Sequence, residues 1–401
     1  MLSQQNNEML CRVGAGTPMG ELMRRYWLPA AMSTELVVGT PKRIRLLGES
    51  FVAFRGDDGE AAVLDELCPH RGASLVLART EGCALRCIYH GWKIDRSGAV
   101  TEMPAEPEGT AFIDKVHTAS YPIYESGGIV WTYLGAPVPP PPVPAFAYSL
   151  YPDNQRVNGK HRTDCNWTQS LEGAIDSAHT FFLHASDVSG RPSIDTRPRL
   201  ITEDTAYGFR YAALRVPIAD PEHYRYARIT HFVAPFTAVI PLGKYQNVQI
   251  FVPIDDEHTY QYNVKVGPEP ISEELAADFR GGLDSDGDYG THRHRENNWL
   301  QDRDAMKAGS FTGIEVIRNQ DNAVQESMGP IFDRSREHLG TSDIAIIRMR
   351  RLMLDYARTL KEEGRVPSID QPFDYAEPVG IEGLISIDEP WQHLLDRPVP
   401  A

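Results

Sequence analysis

Two short stretches, Cys68-Pro69-His70 and Cys87-Ile88-Tyr89-His90, constrain this chain more than any other feature, because each offers one thiol and one imidazole. Two thiolates can hold one iron and two neutral imidazoles another. Cys68, His70, Cys87 and His90 therefore read as ligands of a [2Fe-2S] cluster whose potential lies above that of an all-thiolate ferredoxin. Zinc accepts the same ligand types, but zinc modules open with two Cys and close with two His, whereas each half here mixes them. Cys83 competes by proximity, yet only Cys87 completes a Cys-x-x-His half. Cys11, Cys83 and Cys165 read as small apolar residues or free thiols, and an odd total of five Cys argues against a disulfide framework.

A chain of 401 residues is long enough for two cores. Its net charge of −15 and lack of a basic cluster argue against a nucleic-acid partner. With neither an apolar run of about eighteen residues nor a signal-like start, it is expected to be cytoplasmic and free of membrane contact. The sharpest composition break is the proline run from Gly135 to Pro144, which favours an extended spacer. The expected division is residues 1–136 for an N-terminal segment and the cluster domain, 137–145 for the proline-rich linker and 146–401 for a second domain. Upstream, β-rich runs at Arg43 to Leu47, Phe51 to Arg55, Ala62 to Leu64 and Gly128 to Leu134 predict a small all-β sandwich with the ligands on its loops. Downstream, a helix is expected from Trp167 to His184, with strands around Phe209 to Val216, Arg228 to Ile240 and Val248 to Ile254. Further helices are expected near Ser272 to Phe279 and Ile344 to Glu363, an α+β pattern.

The segment Asn166 to His184 concentrates metal-ligand types. On a regular helix Asp176 and His179 lie about 60° apart and share a face, whereas His179 and His184 lie about 140° apart. An irregularity near Thr180 to Leu183 is needed for both imidazoles to reach one ion. Two His and one carboxylate make the facial triad of a non-haem Fe(II) site. Asp321, in an amide-rich helix before Gly329-Pro330, is the candidate third ligand, with Glu326 as rival. His292 and His294 lie in a charged turn and read as surface residues.

At this point the chain resembles the oxygenase (alpha) component of Rieske non-haem iron aromatic-ring hydroxylating oxygenases, in particular the phthalate 4,5-dioxygenase group. The resemblance rests on Arg12 to Gly20 with Arg25-Tyr26-Trp27, Cys68 to Leu75, Cys87 to Lys93, and Asn166 to His184. It continues through Gln320-Asp321, Met328 to Ile331 with Asp333-Arg334, and Glu337 to Gly340. It implies an N-terminal all-β Rieske [2Fe-2S] domain followed by a helix-grip (START-like) catalytic domain. It also implies mononuclear Fe(II) on His179, His184 and Asp321. It further implies a homotrimer or stacked trimers in which electrons cross between subunits, with Asp176 bridging His179 and His90 of the partner subunit. The partners implied are O2, a small aromatic acid and a separate NAD(P)H-dependent reductase with FMN and a [2Fe-2S] centre.

An aromatic carboxylate calls for a guanidinium, and Arg210, Arg215 and Arg228 on expected strands are the candidates, with Ser177 beside Asp176 as a further contact. Alternation places Arg228, Thr230 and Phe232 on one face. A monooxygenase or O-demethylase would use the same metals, and an electron-transfer or ligand-binding protein without oxygenase activity is the reading from a different class.

Overall fold

The computed structural model describes residues 1–107, 112–188, 190–281 and 288–397. The chain divides into two units, Met23–Pro144 and a second built from Met1–Leu22 with Ala145–Ala401. The assignment of residues 1–136 to one domain is therefore corrected at its start. The reason lies in helix α1 (Gln4–Cys11), which buries Asn7, Leu10 and Cys11. Asn7 donates to the carbonyl of Phe332 at 3.0 Å, Asn166 donates to that of Cys11 at 2.9 Å, and Arg12 pairs with Asp256 at 3.0 Å. All these partners lie in the second unit.

Met23–Pro144 holds three small antiparallel sheets rather than the expected single sandwich. Trp27–Met32, Ile129–Tyr133 and Ile123–Ser126 form one. Lys42–Leu46, Glu49–Arg55, Ala61–Asp65 and Ser120–Tyr121 form the next. The third joins Arg79–Glu81, Ala84–Arg86, Lys93–Asp95 and Val100–Glu102. Strands of three residues are too short to show an alternating pattern, which is why the sequence did not separate this sheet from loop. Its core includes Phe54, Leu64, Leu85, Trp92 and Ile94 together with Cys68 and Cys87.

The second unit is organised on an eight-stranded antiparallel sheet. Its strands are β1 (Arg156–Thr163), β2 (Arg199–Thr205), β3 (Gly208–Arg215), β4 (Tyr224–Val233), β5 (Thr237–Leu242), β6 (Tyr245–Pro253), β7 (Thr259–Val266) and β8 (Ile381–Ser386). The order is β1-β7-β6-β5-β4-β3-β2, with β8 paired to β4. The single strand expected over Arg228 to Ile240 is two strands, because a turn containing Pro235, which lacks an amide donor, interrupts the ladder. Helix α2 (Trp167–Ala174) packs on β5 and β6, and it also meets α3 (Ile317–Ser327). The long helix α4 (Ile344–Glu363) packs on β2 and β3, completing the helix-grip arrangement.

Strand alternation assigns the two faces of this sheet. Ala212, Ala227 and Ile229 face Trp391 and Leu394 from the C-terminal segment. Tyr211, Tyr226, Arg228 and Thr230 face the other way, into a cavity.

Candidate metal centres and substrate cavity

The four cluster residues sit on two copies of one turn. In the first, Gly72 N–H donates to the carbonyl of Cys68 at 2.9 Å, and Cys68 N–H donates to that of Ala73 at 2.8 Å. In the second, Gly91 donates to Cys87 at 3.0 Å, and Cys87 to Trp92 at 2.9 Å. Gly72 and Gly91 have φ of 72° and 74°, a left-handed conformation that glycine adopts without a Cβ penalty. The sequence carries this repeat as Cys-x-x-x-Gly, twice. A buried Glu66 pins the first turn, accepting a two-pronged pair from Arg43 at 2.8 and 2.7 Å and a hydroxyl bond from Ser74 at 2.6 Å.

These turns bring the His70 and His90 rings to a centroid separation of 4.5 Å, and Trp92 stacks on His70 at 4.5 Å. Both cysteines are buried and both imidazoles half-buried. Nδ1 of His90 is buried with no hydrogen-bond partner among the described residues. Burial pushes the Cys68 thiol up to about 11, and the neighbouring Cys87 adds to the shift. A buried imidazole nitrogen without a partner beside two buried thiols is a poor arrangement for a metal-free core and suits a cluster, whose iron deprotonates its thiols.

The second constellation begins where α2 stops. The helix expected to run to His184 ends at Ala174, with Ile175 as C-cap. Asp176 is thus the first residue of a turn, not part of a helical face, and the expected irregularity starts earlier than Thr180. Its Oδ1 accepts from the N–H groups of Ala178 at 2.7 Å and His179 at 3.4 Å, capping a short 3-10 turn at His179–Phe181. Oδ2 is left 3.6 Å from His179 Nδ1. That separation is an ion-pair distance, too long for a hydrogen bond, and Nδ1 has no other partner among the described residues.

Close approach of α2 and α3 brings in Asp321. Gly173 lies at this contact, where a Cβ would come within 2.5 Å of Gln325 Nε2. Asp321 Oδ1 then stands 3.6 Å from His179 Nε2 and 3.2 Å from His184 Nε2. Among the described residues, His179, His184 and Asp321 form the one group able to converge on an ion, their ligand atoms all within 4.8 Å. Gln320 fixes the ring of His184. Its Nε2 donates to the carbonyl of Ile314 at 2.7 Å and to Asp187 at 2.8 Å, so its Oε1 accepts from His184 Nδ1 at 2.7 Å. The His184 proton is therefore on Nδ1, and the Nε2 lone pair faces Asp321. The rival acid, Glu326, is buried elsewhere on α3, accepting from Trp299 Nε1 at 2.7 Å and Asp164 N–H at 3.1 Å. His294 pairs with exposed Glu296 at 2.8 Å, a surface role.

His179, His184, Asp321 and Asp176 open onto a cavity of about 430 Å³, a size suited to a single-ring ligand. Of the expected substrate residues, Ser177 and Arg228 line it. Arg210 does not. One position out of phase with Tyr211, it projects from the opposite face of β3 and pairs with Glu203 at 2.8 Å. Arg215 is buried behind the wall, donating to the carbonyl and hydroxyl of Ser177. Burial and the proximity of Arg228 draw its pKa down to about 10.

Arg191 follows an aperiodic stretch and carries no sequence signal of its own. Its Nη2 donates to the carbonyls of His184 at 2.7 Å and Thr180 at 2.9 Å, and its Nε to that of Val188 at 3.1 Å. No carboxylate among the described residues pairs with it. Phe181 is held between two cations, with Cζ of Arg191 and Arg215 at 4.7 and 4.3 Å from its ring. Glu382, also unforeseen, lines the cavity from β8.

Comparison with known proteins places both parts of the chain in known domain families. Residues 26–122 match the Rieske [2Fe-2S] domain family, and residues 132–398 match the LigXa C-terminal domain like family. The phthalate 4,5-dioxygenase oxygenase subunit of Pseudomonas putida is 46% identical, across 88% of this chain and 86% of that protein. The 3-chlorobenzoate-3,4-dioxygenase oxygenase subunit of Comamonas testosteroni is 38% identical across 94% of each. Among solved structures, the terminal oxygenase of carbazole 1,9a-dioxygenase from Nocardioides aromaticivorans superposes with a TM-score of 0.61 at 18% identity, covering 88% of this chain and 97% of that one. Dicamba monooxygenase bound to dicamba gives 0.63 at 18%, covering 85% and 99%. These structures share the fold. The chain belongs to the Rieske non-haem iron oxygenases, as an oxygenase subunit carrying a [2Fe-2S] cluster and a mononuclear iron.

Proposed function

We propose that this oxygenase hydroxylates an aromatic carboxylate at the iron end of the cavity. The observation that carries this reading is Arg191, a guanidinium with no protein carboxylate partner among the described residues, in the same cavity as His179, His184 and Asp321. An apolar ring fits between Phe251, Ile240 and Phe181, and a carboxylate would meet Arg191 and Arg228. Substrates of two relatives, phthalate and 3-chlorobenzoate, are of this class.

In this reading Cys68 and Cys87 hold one cluster iron, and His70 and His90 the other. His179, His184 and Asp321 hold the mononuclear iron, which would supply O2 activation. The protein's contribution is orientation. Gln320 keeps His184 in the ligating tautomer, and the two arginines hold the ring's charged end away from the metal. Asp176 serves as the carboxylate between His179 and His90 of the partner subunit in a homotrimer or stacked trimer. Its support is local: backbone N–H groups fix Oδ1, and Oδ2 points at His179. Electrons come from a separate partner, as in solved oxygenase–ferredoxin complexes of carbazole 1,9a-dioxygenase. We assign that role here to a reductase carrying FMN and a [2Fe-2S] centre.

The test is a peroxide-driven turnover screen of aromatic mono- and dicarboxylates, with labelled peroxide and product mass. Ring hydroxylation of a carboxylate, lost in Arg191→Gln, is the expected result. Turnover of uncharged rings only, indifferent to Arg191, would defeat the reading. A demethylated product would move the enzyme toward the 5,5'-dehydrodivanillate O-demethylase subunit of a Sphingobium species, to which it is 31% identical.

A further inference from the structure

Arg191, Arg215 and Arg228 form a group of three guanidinium ions around the cavity, and among the described residues Glu382 is the one carboxylate paired with any of them. Burial and the charge of Arg228 lower the proton affinity of both Arg191 and Arg215, a sign that the three are within electrostatic reach. Such a group tends to drive its most mobile member toward bulk water.

Glu382 opposes that tendency from a fixed position. It lies directly across the β4–β8 ladder from Arg228. Its Oε1 accepts from Gly243 N–H at 2.6 Å and its Oε2 from the Tyr226 hydroxyl at 2.6 Å. Both oxygens thus have neutral donors, so the carboxylate stays in place whether or not Arg228 moves. Arg228 Nε lies 2.9 Å from Oε2, but its N–H is not aimed at that oxygen, so the attraction is Coulombic. Nη2 of Arg228 donates to the carbonyl of Pro241 at 2.8 Å, which leaves Nη1 without a hydrogen-bond partner among the described residues. A carboxylate competing with substrate would cover the Nη1–Nη2 edge. Glu382 sits at the other end of the guanidinium and leaves Nη1 to a ligand.

We propose that Glu382 is a positioning residue for substrate: it holds Arg228 in the cavity wall, against Arg191 and Arg215, with Nη1 available to a carboxylate. The role rests on the aromatic-carboxylate reading above and deepens it. It makes carboxylate affinity depend on an acid, through Arg228 alone.

The experiment is a double-mutant cycle on the holoenzyme, with phthalate and benzoate binding measured by calorimetry and with iron content and cluster absorption checked in each variant. Glu382→Gln is expected to weaken the tighter of the two probes by about tenfold, and Glu382→Asp to recover part of the loss. In an Arg228→Gln background the same Glu382→Gln change should weaken binding less than about twofold. Should the Gln variant lose either metal signal, the cycle is run with Glu382→Asp, which keeps the charge but retracts it, and the same dependence on Arg228 is required. Unchanged or tighter binding in Glu382→Gln overturns the proposal, as does full additivity with Arg228→Gln. Wild-type enzyme that binds neither probe removes the carboxylate reading and this role together. Wild-type binding that is indifferent to Glu382 removes only the role.

Discussion

Around Cys68 and Cys87 the metal ligands ride on two copies of one local turn, each closed by its own glycine and flanked by strands of a few residues. Around His179 they come from a turn that caps itself on Asp176 and from α3, far along the chain, joined through Gly173, Gln325 and Gln320. The first site needs little beyond its hairpins. The second exists only when α2, α3 and the sheet have docked, so its geometry depends on packing that no short stretch encodes. The most severe test of this contrast is to remove one ligand from each. Asp321→Ala is expected to abolish mononuclear iron and turnover while the visible absorption of the cluster survives. Cys87→Ser should abolish that absorption and leave iron on His179, His184 and Asp321. Iron analysis and spectra of the two variants decide it, and loss of both metals in either one would break the picture of separate construction.

Gln320→Leu gives a smaller effect that probes the packed site alone. Without the amide, His184 loses the acceptor that fixes its tautomer and ring angle, while a side chain of similar volume remains on α3. Iron affinity should fall about 10- to 100-fold, read by chelator competition, with the cluster spectrum unaltered. A change below twofold would mean that packing alone orients His184.

The same contrast explains what could be read in advance. The Cys-x-His and Cys-x-x-His halves are local, so their chemistry was visible from spacing. Asp176, His179, His184 and Asp321 are visible as ligand types, but Asp176 and His179 share no helical face, because Asp176 hydrogen-bonds the amides of the residues after it and α2 ends at Ala174. Arg210 is a candidate by residue type alone, and the phase of its strand, one residue from Tyr211, turns it to the other face, where it pairs with Glu203. Arg191 and Glu382 carried no local signal. One lies on a loop held by carbonyls, the other on a C-terminal strand that reaches the cavity only by pairing with β4. The N-terminal segment falls beside the cluster domain in chain order, although the buried side chains of its helix have their partners in the second unit.

A finer comparison lies within the cluster site, between its two glycines. Both have positive φ, so alanine at either is expected to cost about 1–2 kcal/mol through the left-handed backbone. At Gly72 a Cβ meets none of the described residues within 4 Å, whereas at Gly91 it would come within 2.7 Å of Pro104 Cγ. Gly91→Ala should therefore unfold at a lower temperature than Gly72→Ala, followed by loss of cluster absorption on heating. Equal effects would show that Pro104 yields freely and that backbone conformation is the whole cost.

The smallest expected effect concerns a buried acid in the packed site. Glu326 shares α3 with Asp321, and burial holds its pKa above the usual carboxylate value despite hydrogen bonds from Trp299 and Asp164. A carboxyl whose folded pKa is raised binds its proton more tightly folded than unfolded. Its stabilising contribution is complete below the unfolded value of about 4.3 and is lost as pH rises through the folded pKa. Glu326→Gln cannot ionise, but it replaces one acceptor oxygen by an NH2 group facing a donor, a cost of about 1 kcal/mol. The variant should thus be less stable than the parent in mild acid, and the gap should narrow as pH rises, because only the parent then bears the cost of a buried charge. Urea titrations at a series of pH values measure that gap. A gap that widens with pH would mean the carboxylate is better accommodated than the acid, and that α3 is steadied by the charge on Glu326 rather than by the proton it retains.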